Sequence, residues 1–276
     1  MSTQLLFYDN AVPVSGARHA DCSIEVKDYA FCRNVNSVPL MAVEFPMAAP
    51  EYPIVFAVGE EAVTPVVILG VRGKENLYVS KEGTWQAKYV PAFVRRYPFV
   101  FSAQDEGKRF VLCVDESFSG FNRGGRGQRL FTDEKKPSPY VDNVLKFLQE
   151  YRNQFMRTQA FCKQLKELDL LEPMRAQISL DSGDQFSLSG FSAVDRKKLK
   201  ALPGDKLAQL AKTDELELLY VHLQSMRNFT GVKDRLVVVQ GGKSDEPDAA
   251  GAPQVEEKGG KRAASAGKSR RAAAAD

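Results

Sequence analysis

The sequence predicts an α+β fold: a β-rich N-terminal half, a long central helix, then a β-hairpin with helices, and a disordered C-terminal tail. Three observations carry this. Short β-branched and aromatic runs, separated by Gly, Asp, Asn and Lys clusters, fill residues 1–135. An apolar stripe of helical period begins at Pro137-Ser-Pro139 and runs to about Leu170. From Gly241 the composition collapses to small and charged residues, with one valine and no aromatic. Such a segment buries too little apolar surface to offset the entropy of ordering. The expected organisation is one α+β domain over 1–240, β-rich to 135 and helix plus hairpin over 136–240, followed by a tail over 241–276.

The strands come first. Tyr52-Pro-Ile-Val-Phe-Ala57, Pro65-Val-Val-Ile-Leu-Gly70, Asn76-Leu-Tyr-Val79 and Arg109-Phe-Val-Leu-Cys-Val114 read as short antiparallel strands. Their spacing suits a small bent sheet or a partial barrel. Between them, Trp85, Tyr89, Phe93 and Tyr97 recur every four residues, the spacing of one helical face, and Pro91 and Pro98 bracket a turn or two of helix. The segment 85–101 holds six aromatic residues and the Arg95-Arg96 pair.

In the central helix Ser138 is placed to cap and Pro139 to take the first position. Val141, Leu145, Leu148, Phe155, Cys162 and Leu165 mark its buried face, and about thirty residues give a length of roughly 45 Å. Pro173 is expected to end it. Ala176–Leu180 and Gln185–Ser189 then alternate around Asp181-Ser-Gly-Asp184, a hairpin with its own turn chemistry. Gly190–Val194 leads into helices with Asp195 and Asp205 as caps, Leu202-Pro-Gly204 as a break, and a last helix from about Thr213 to Arg227. Arg235-Leu-Val-Val-Val-Gln240 reads as a final strand.

Composition excludes several functions. The net charge is +3 and the tail supplies about +1 of it, so the body is close to neutral, unlike a dedicated nucleic-acid binder. The stretch from Lys258 to Ala275 carries six positive charges and no negative one, the composition of a solubilising tail or of a basic arm that touches nucleic acid. No run of 18 apolar residues exists, so no membrane span is expected. The start lacks a secretory signal pattern, and Cys22, Cys32, Cys113 and Cys162 are scattered without CxxC spacing. A cytoplasmic location follows as the expectation.

No catalytic constellation stands out. Arg95 and Arg96, flanked by aromatic residues including Trp85 and Tyr97, suggest an anion pocket with stacking walls, or arginines laid over a sheet. Phe121-Asn-Arg-Gly-Gly-Arg-Gly-Gln-Arg129 carries Arg123, Arg126 and Arg129 on a glycine-rich loop. It matches no phosphate-binding motif and reads first as a mobile surface loop. Asp115 and Glu116 follow a strand and read as solvated turn residues, with His222 as a distant partner in a weaker acid–base reading. Ser117, Ser119 and Ser182 lack a nucleophile-elbow context. The two histidines, His19 and His222, fit no metal-ligand spacing, so no metal and no cofactor is expected. Cys113 with His222 reads as packing, and His222 as half-buried with a hydrogen-bond partner.

A series of segments resembles the SapC family of bacterial proteins. These are Val38-Pro-Leu-Met-Ala-Val-Glu-Phe-Pro46, Glu51–Phe56, Pro65–Gly70, Tyr89-Val-Pro-Ala-Phe-Val-Arg-Arg-Tyr-Pro-Phe99, Leu170-Leu-Glu-Pro173, Gly190–Asp195 and Leu223-Gln-Ser-Met226. The resemblance covers roughly residues 5–230. It implies a bacterial cytoplasmic protein and, through the family name, a part in transporting surface-layer protein. Some members carry peptidase or transporter labels. No catalytic residue carries over. The resulting expectation is a non-enzymatic accessory or binding protein, holding an unknown protein partner or an anionic small ligand near Arg95, Arg96 and the 121–129 loop. The alternatives are an enzyme using Asp115, Glu116 and His222, and nucleic-acid association through the basic tail.

Overall fold

The computed structural model describes residues 5–60 and 62–240. In chain order the elements are β1 (Ala11–Pro13), α1 (Gly16–His19), β2 (Ser23–Ile24), β3 (Ser37–Pro39), α2 (Phe45–Ala48), β4 (Ile54–Val58) and β5 (Val63–Ile68). Then come α3 (Ala92–Arg95), β6 (Phe99–Gln104), β7 (Arg109–Asp115), β8 (Phe121–Asn122), β9 (Gln128–Arg129) and α4 (Pro139–Glu167). The chain continues through β10 (Leu171–Ser179), β11 (Gln185–Val194), α5 (Arg196–Lys200), α6 (Gly204–Lys212), α7 (Glu215–Ser225) and α8 (Phe229–Gln240). This is the expected α+β order. The tail, expected to be disordered, lies outside the described residues.

The strands form three antiparallel sheets, in the orders β1-β7-β6, β10-β11-β4-β5-β3 and β8-β2-β9, and none closes into a barrel. Residues alternate across the five-stranded sheet as a pleat requires. Ile54, Phe56 and Val67 enter one buried cluster, which runs from Phe7 to Leu236 and takes residues from both halves of the sequence. Val55, Val66 and Ile68 enter a second, with Leu188 and Phe191, partly covered by Met226 and Phe229.

α4 follows its sequence signals. Ser138 caps it by accepting from the Val141 N–H, Pro139 stands in the first turn, and Val141, Leu148, Cys162 and Leu165 are buried. Replacing Ser138 with alanine is expected to cost about 1 kcal/mol, read as a shift in the urea midpoint with an unchanged slope.

Five local expectations are corrected. The helix ends at Glu167, and Asp169 at φ 51° turns the chain, whereas Pro173 sits within β10. β10 is an edge strand, where the missing proline N–H costs the ladder least. The four-residue period over 85–97 is not a helical face, because only Ala92–Arg95 is helical. The Tyr89 carbonyl instead accepts from Trp85 Nε1 at 3.2 Å and from the Tyr52 hydroxyl, and Trp85 pairs with Val79 in the bridge that replaces an expected strand over 76–79. Residues 235–240 lie in α8 rather than in a strand. Its Val232 and Leu236, one turn apart, are fully buried, and that packing outweighs the strand preference of Val237 and Val238. Finally, Asp195 caps α5 as expected, but Asp205 lies in the first turn of α6, whose cap position is Pro203.

Candidate functional site

The paired arginines diverge, as consecutive residues on a helix must. Arg96 turns inward. It is 7 % exposed, and its guanidinium lies 4.1 Å from the Phe93 ring and 5.1 Å from the Tyr151 ring. Arg95 turns outward, over the rings of Tyr89 at 5.8 Å and Phe147 at 5.4 Å, with Nε donating to the Val90 carbonyl at 3.0 Å. Among the described residues no carboxylate pairs with it.

Arg95 borders a groove of about 270 Å³ between the 41–47 segment and α4. Met41, Val43 and Met47 supply one wall, Phe147, Tyr151 and Gln154 the other, with Tyr89, Ala92 and Glu44 also lining it. Glu44, at the end of a 3-10 turn over Ala42–Glu44, is 5 % exposed. Its carboxylate accepts from the Met41 N–H at 2.8 Å, the Ala92 N–H at 2.7 Å and the Tyr89 hydroxyl at 2.6 Å. Three donors satisfy a buried anion and pin the two chain segments that frame the groove. Arg95 Nη2 reaches the Tyr89 hydroxyl at 3.5 Å, so Tyr89 stands between the cation and Glu44. Burial first, then the Glu44 charge, pushes the Tyr89 phenol well above its ordinary range, so it stays protonated as donor. Glu51 sets the approach, accepting from the Lys88 N–H at 2.8 Å and the Tyr89 N–H at 3.1 Å.

The other sequence candidates sit elsewhere. Trp85 and Tyr97 are core residues. Trp85 Nε1 donates to the Tyr52 hydroxyl at 2.9 Å, and Tyr97 packs 4.4 Å from Phe31. The 121–129 loop is not an open anion cradle. Arg123 pairs with Asp21 at 2.8 Å, Arg126 with Glu25 at 3.4 Å and Arg129 with Asp133 at 2.7 Å. Its glycines serve the backbone. A Cβ on Gly127, at φ +81°, stands 2.2 Å from the Ile24 carbonyl oxygen, and one on Gly120 stands 1.9 Å from that of Glu25. Glycine at 127 in the loop, and at 120 just before it, lets the chain press against Ile24 of β2 and the following Glu25.

Asp115 is not a solvated turn residue but fully buried. It accepts from the Asp9, Asn10 and Ser117 N–H groups at 2.9, 3.1 and 2.9 Å and from the Ser117 hydroxyl at 2.6 Å. Burial alone raises its pKa, yet these donors win and hold it below the usual carboxylate value. Glu116 is engaged by Arg18 Nε at 2.7 Å and by His19 Nε2 at 3.2 Å, and Arg18 holds its pKa down. His222 is fully buried on α7, with Nδ1 2.8 Å from the Ile54 carbonyl and Nε2 accepting from the Val194 N–H at 3.0 Å. Among the described residues the side chains of Asp115, Glu116 and His222 have no hydrogen-bond partner in common. Cys113 contacts the Val111 carbonyl rather than His222, and all four cysteines are free and buried. Among the described residues, no group of three His, Cys, Asp or Glu side chains comes together as a metal site, and no helix is long and apolar enough to cross a membrane.

The SapC family model matches residues 14–231, most of the chain and nearly all of the described structure. The chain belongs to the SapC family. No curated protein and no solved structure matches it. The groove lies wholly within the SapC-matched region, and so do Arg95 and Glu44.

Within this SapC chain, sequence reasoning found Arg95 but missed Glu44, Met47, Tyr89 as a polar group, and the Phe147–Gln154 wall. A signal existed for Glu44. It is the lone charge in Val38-Pro-Leu-Met-Ala-Val-Glu-Phe-Pro46, and an acid in so apolar a run must either break the strand or be satisfied inside it. Phe147 was signalled too, as an aromatic residue beside rather than on the buried stripe of α4.

Proposed function

We propose that this SapC-family chain is a non-catalytic cytoplasmic binding protein that uses the Arg95 groove to hold a partner or an anionic ligand. The observation that carries it is Arg95 itself. Two aromatic rings and a backbone carbonyl hold its guanidinium at the edge of an apolar groove, with no carboxylate partner among the described residues. A guanidinium so placed keeps donors for a carboxylate or phosphate. The non-catalytic reading is supported by the engagement of Asp115, Glu116 and His222 in bonds that join backbone segments or surface charges. A part in moving surface-layer protein is supported by the family name.

The test is native mass spectrometry of the full chain purified gently from its source cells, alongside Arg95→Gln. A retained molecule whose occupancy falls about tenfold or more in the variant is the expected result. Equal occupancy in Arg95→Gln and in Val43→Asp overturns the reading. Arg96 is unsuited to this test, since its removal disturbs the core.

A further inference from the structure

The shape and charge of the groove narrow its occupant. Val43 and Met47 lie one turn apart and are 58 % and 61 % exposed, so this wall stands open. The facing wall, Phe147, Tyr151 and Gln154, follows α4 at intervals of four and three residues and spans about 10 Å. A volume of about 270 Å³ lies at the lower edge of the range of roughly 300–1,000 Å³ usual for small-molecule clefts and cavities. An open groove of this size suits a few side chains of a larger partner. Methionine at two wall positions, Met41 and Met47, gives a surface that adapts to branched or aromatic side chains.

Charge sets the direction. Arg95 stands at the Phe147 end, 5.4 Å from that ring. Glu150, three residues further along α4, is exposed and accepts from Gln154 Nε2 at 2.6 Å. Glu44 makes no direct ion pair with Arg95, because the Tyr89 hydroxyl stands between them, donating to Glu44 at 2.6 Å and lying 3.5 Å from Arg95 Nη2. A segment that fits therefore carries its carboxylate at the Arg95 end and a neutral or basic group opposite Glu150.

We infer that the Arg95 groove docks an acidic–apolar peptide segment of a partner protein, seating its large apolar side chains between the Met47 and Tyr151 walls and pairing its carboxylate with Arg95. This rests on the binding reading above and names the class of partner. Helix-in-groove and extended-peptide recognition both use a few apolar anchors with one charged group that fixes register.

The experiment selects binders to the full chain from a random-sequence peptide library displayed on phage, then measures the enriched peptide in solution by fluorescence anisotropy. Enrichment of Asp or Glu beside large apolar residues is expected. Changing that acid to its amide is expected to weaken binding on the order of ten- to a hundredfold. Arg95→Gln is expected to weaken the acidic peptide by a similar factor and the amide peptide little, the signature of a coupled pair. If Val43→Asp and Met47→Asp abolish binding but acid and amide peptides bind alike, the inference is overturned and the binding reading stands. The same holds if no peptide enriches while decanoate binds in an Arg95-dependent way. Should neither peptide nor decanoate depend on Val43, Met47 or Arg95, both fall. The three substituted side chains are exposed, and circular dichroism melts of each variant are expected to match the parent.

Discussion

Replacing Asp115 with alanine is expected to cost about 3 to 4 kcal/mol of folding stability, a large share of the roughly 5–15 kcal/mol that a domain possesses. The carboxylate terminates β7 and gathers the chain that precedes β1. Its Oδ2 accepts from the Asp9 N–H and its Oδ1 from the Asn10 and Ser117 N–H groups. Bonds to an ionised acceptor are stronger than neutral ones, and losing the acceptor strands three backbone donors at once. Urea titration of the parent, Asp115→Ala and Asp115→Asn measures this. Asparagine keeps one accepting oxygen but turns an amide toward donors, so it should fall between the two. The pH dependence has a definite sign. The folded pKa of Asp115 lies below its unfolded value of 3.8. Its contribution is present above that value and is lost as pH falls through the folded pKa. The gap between parent and alanine variant should therefore close under strong acid. A gap unchanged from neutral to strongly acid pH would show that volume rather than charge sets the cost.

Mild acid is expected to act through a different residue. His222 joins three elements: its Nδ1–H meets the Ile54 carbonyl in β4, its Nε2 accepts from the Val194 N–H in β11, and its backbone belongs to α7. The Phe56 ring packs edge-on at 4.9 Å. Burial lowers its pKa from 6.5 to about 4, because the fully buried ring is poorly placed to carry charge and its accepting nitrogen cannot take a proton without losing Val194. A depressed folded pKa means stability that is fully present above the unfolded pKa and falls as pH drops from 6.5 toward 4. Between about pH 7 and about pH 5 this single group should remove about 2 kcal/mol. His222→Gln, which offers an acceptor and a donor without titrating in this window, should be less stable at neutral pH yet show a flatter pH profile. Paired urea titrations at the two pH values read out both effects. A parallel slope in parent and variant would mean that some other group controls acid sensitivity.

These residues show what a linear reading can and cannot reach. The Ser138 cap, the Pro139 start and the apolar stripe of α4 are encoded within a few residues of one another, and so is the 181–184 hairpin turn. The valines of α8 misled because β propensity describes a half-buried pleated surface, whereas here the helical period of Val232 and Leu236 met a core on one side. The aromatic residues at 85, 89, 93 and 97 misled for a related reason. Their spacing is helical, but Tyr52 and Trp85 claim the Tyr89 carbonyl, and the chain turns into α3 only after Pro91.

The candidate site divides in the same way. Arginine beside aromatic residues in the 85–101 segment was visible as a place for anion chemistry, and the residue order alone required that Arg95 and Arg96 point apart. Which one faces solvent was decided by α4, whose Phe147 supports Arg95 and whose Tyr151 covers Arg96. The glycine-rich loop, equally basic in sequence, was neutralised by Asp21, Glu25 and Asp133, and two of these are about a hundred positions earlier in the chain. By itself the sequence determined the α+β class, the long α4 and the caps at Ser138 and Asp195, since each depends on propensity and period over short spans, while the resemblance of its ordered segments carried the family. The tertiary structure alone decided that Glu44 joins Ala92, that Asp115 gathers Asp9 and that His222 bridges Ile54 and Val194. Each links segments from 28 to 168 residues apart, and such contacts form only when the buried faces of several elements meet in one core.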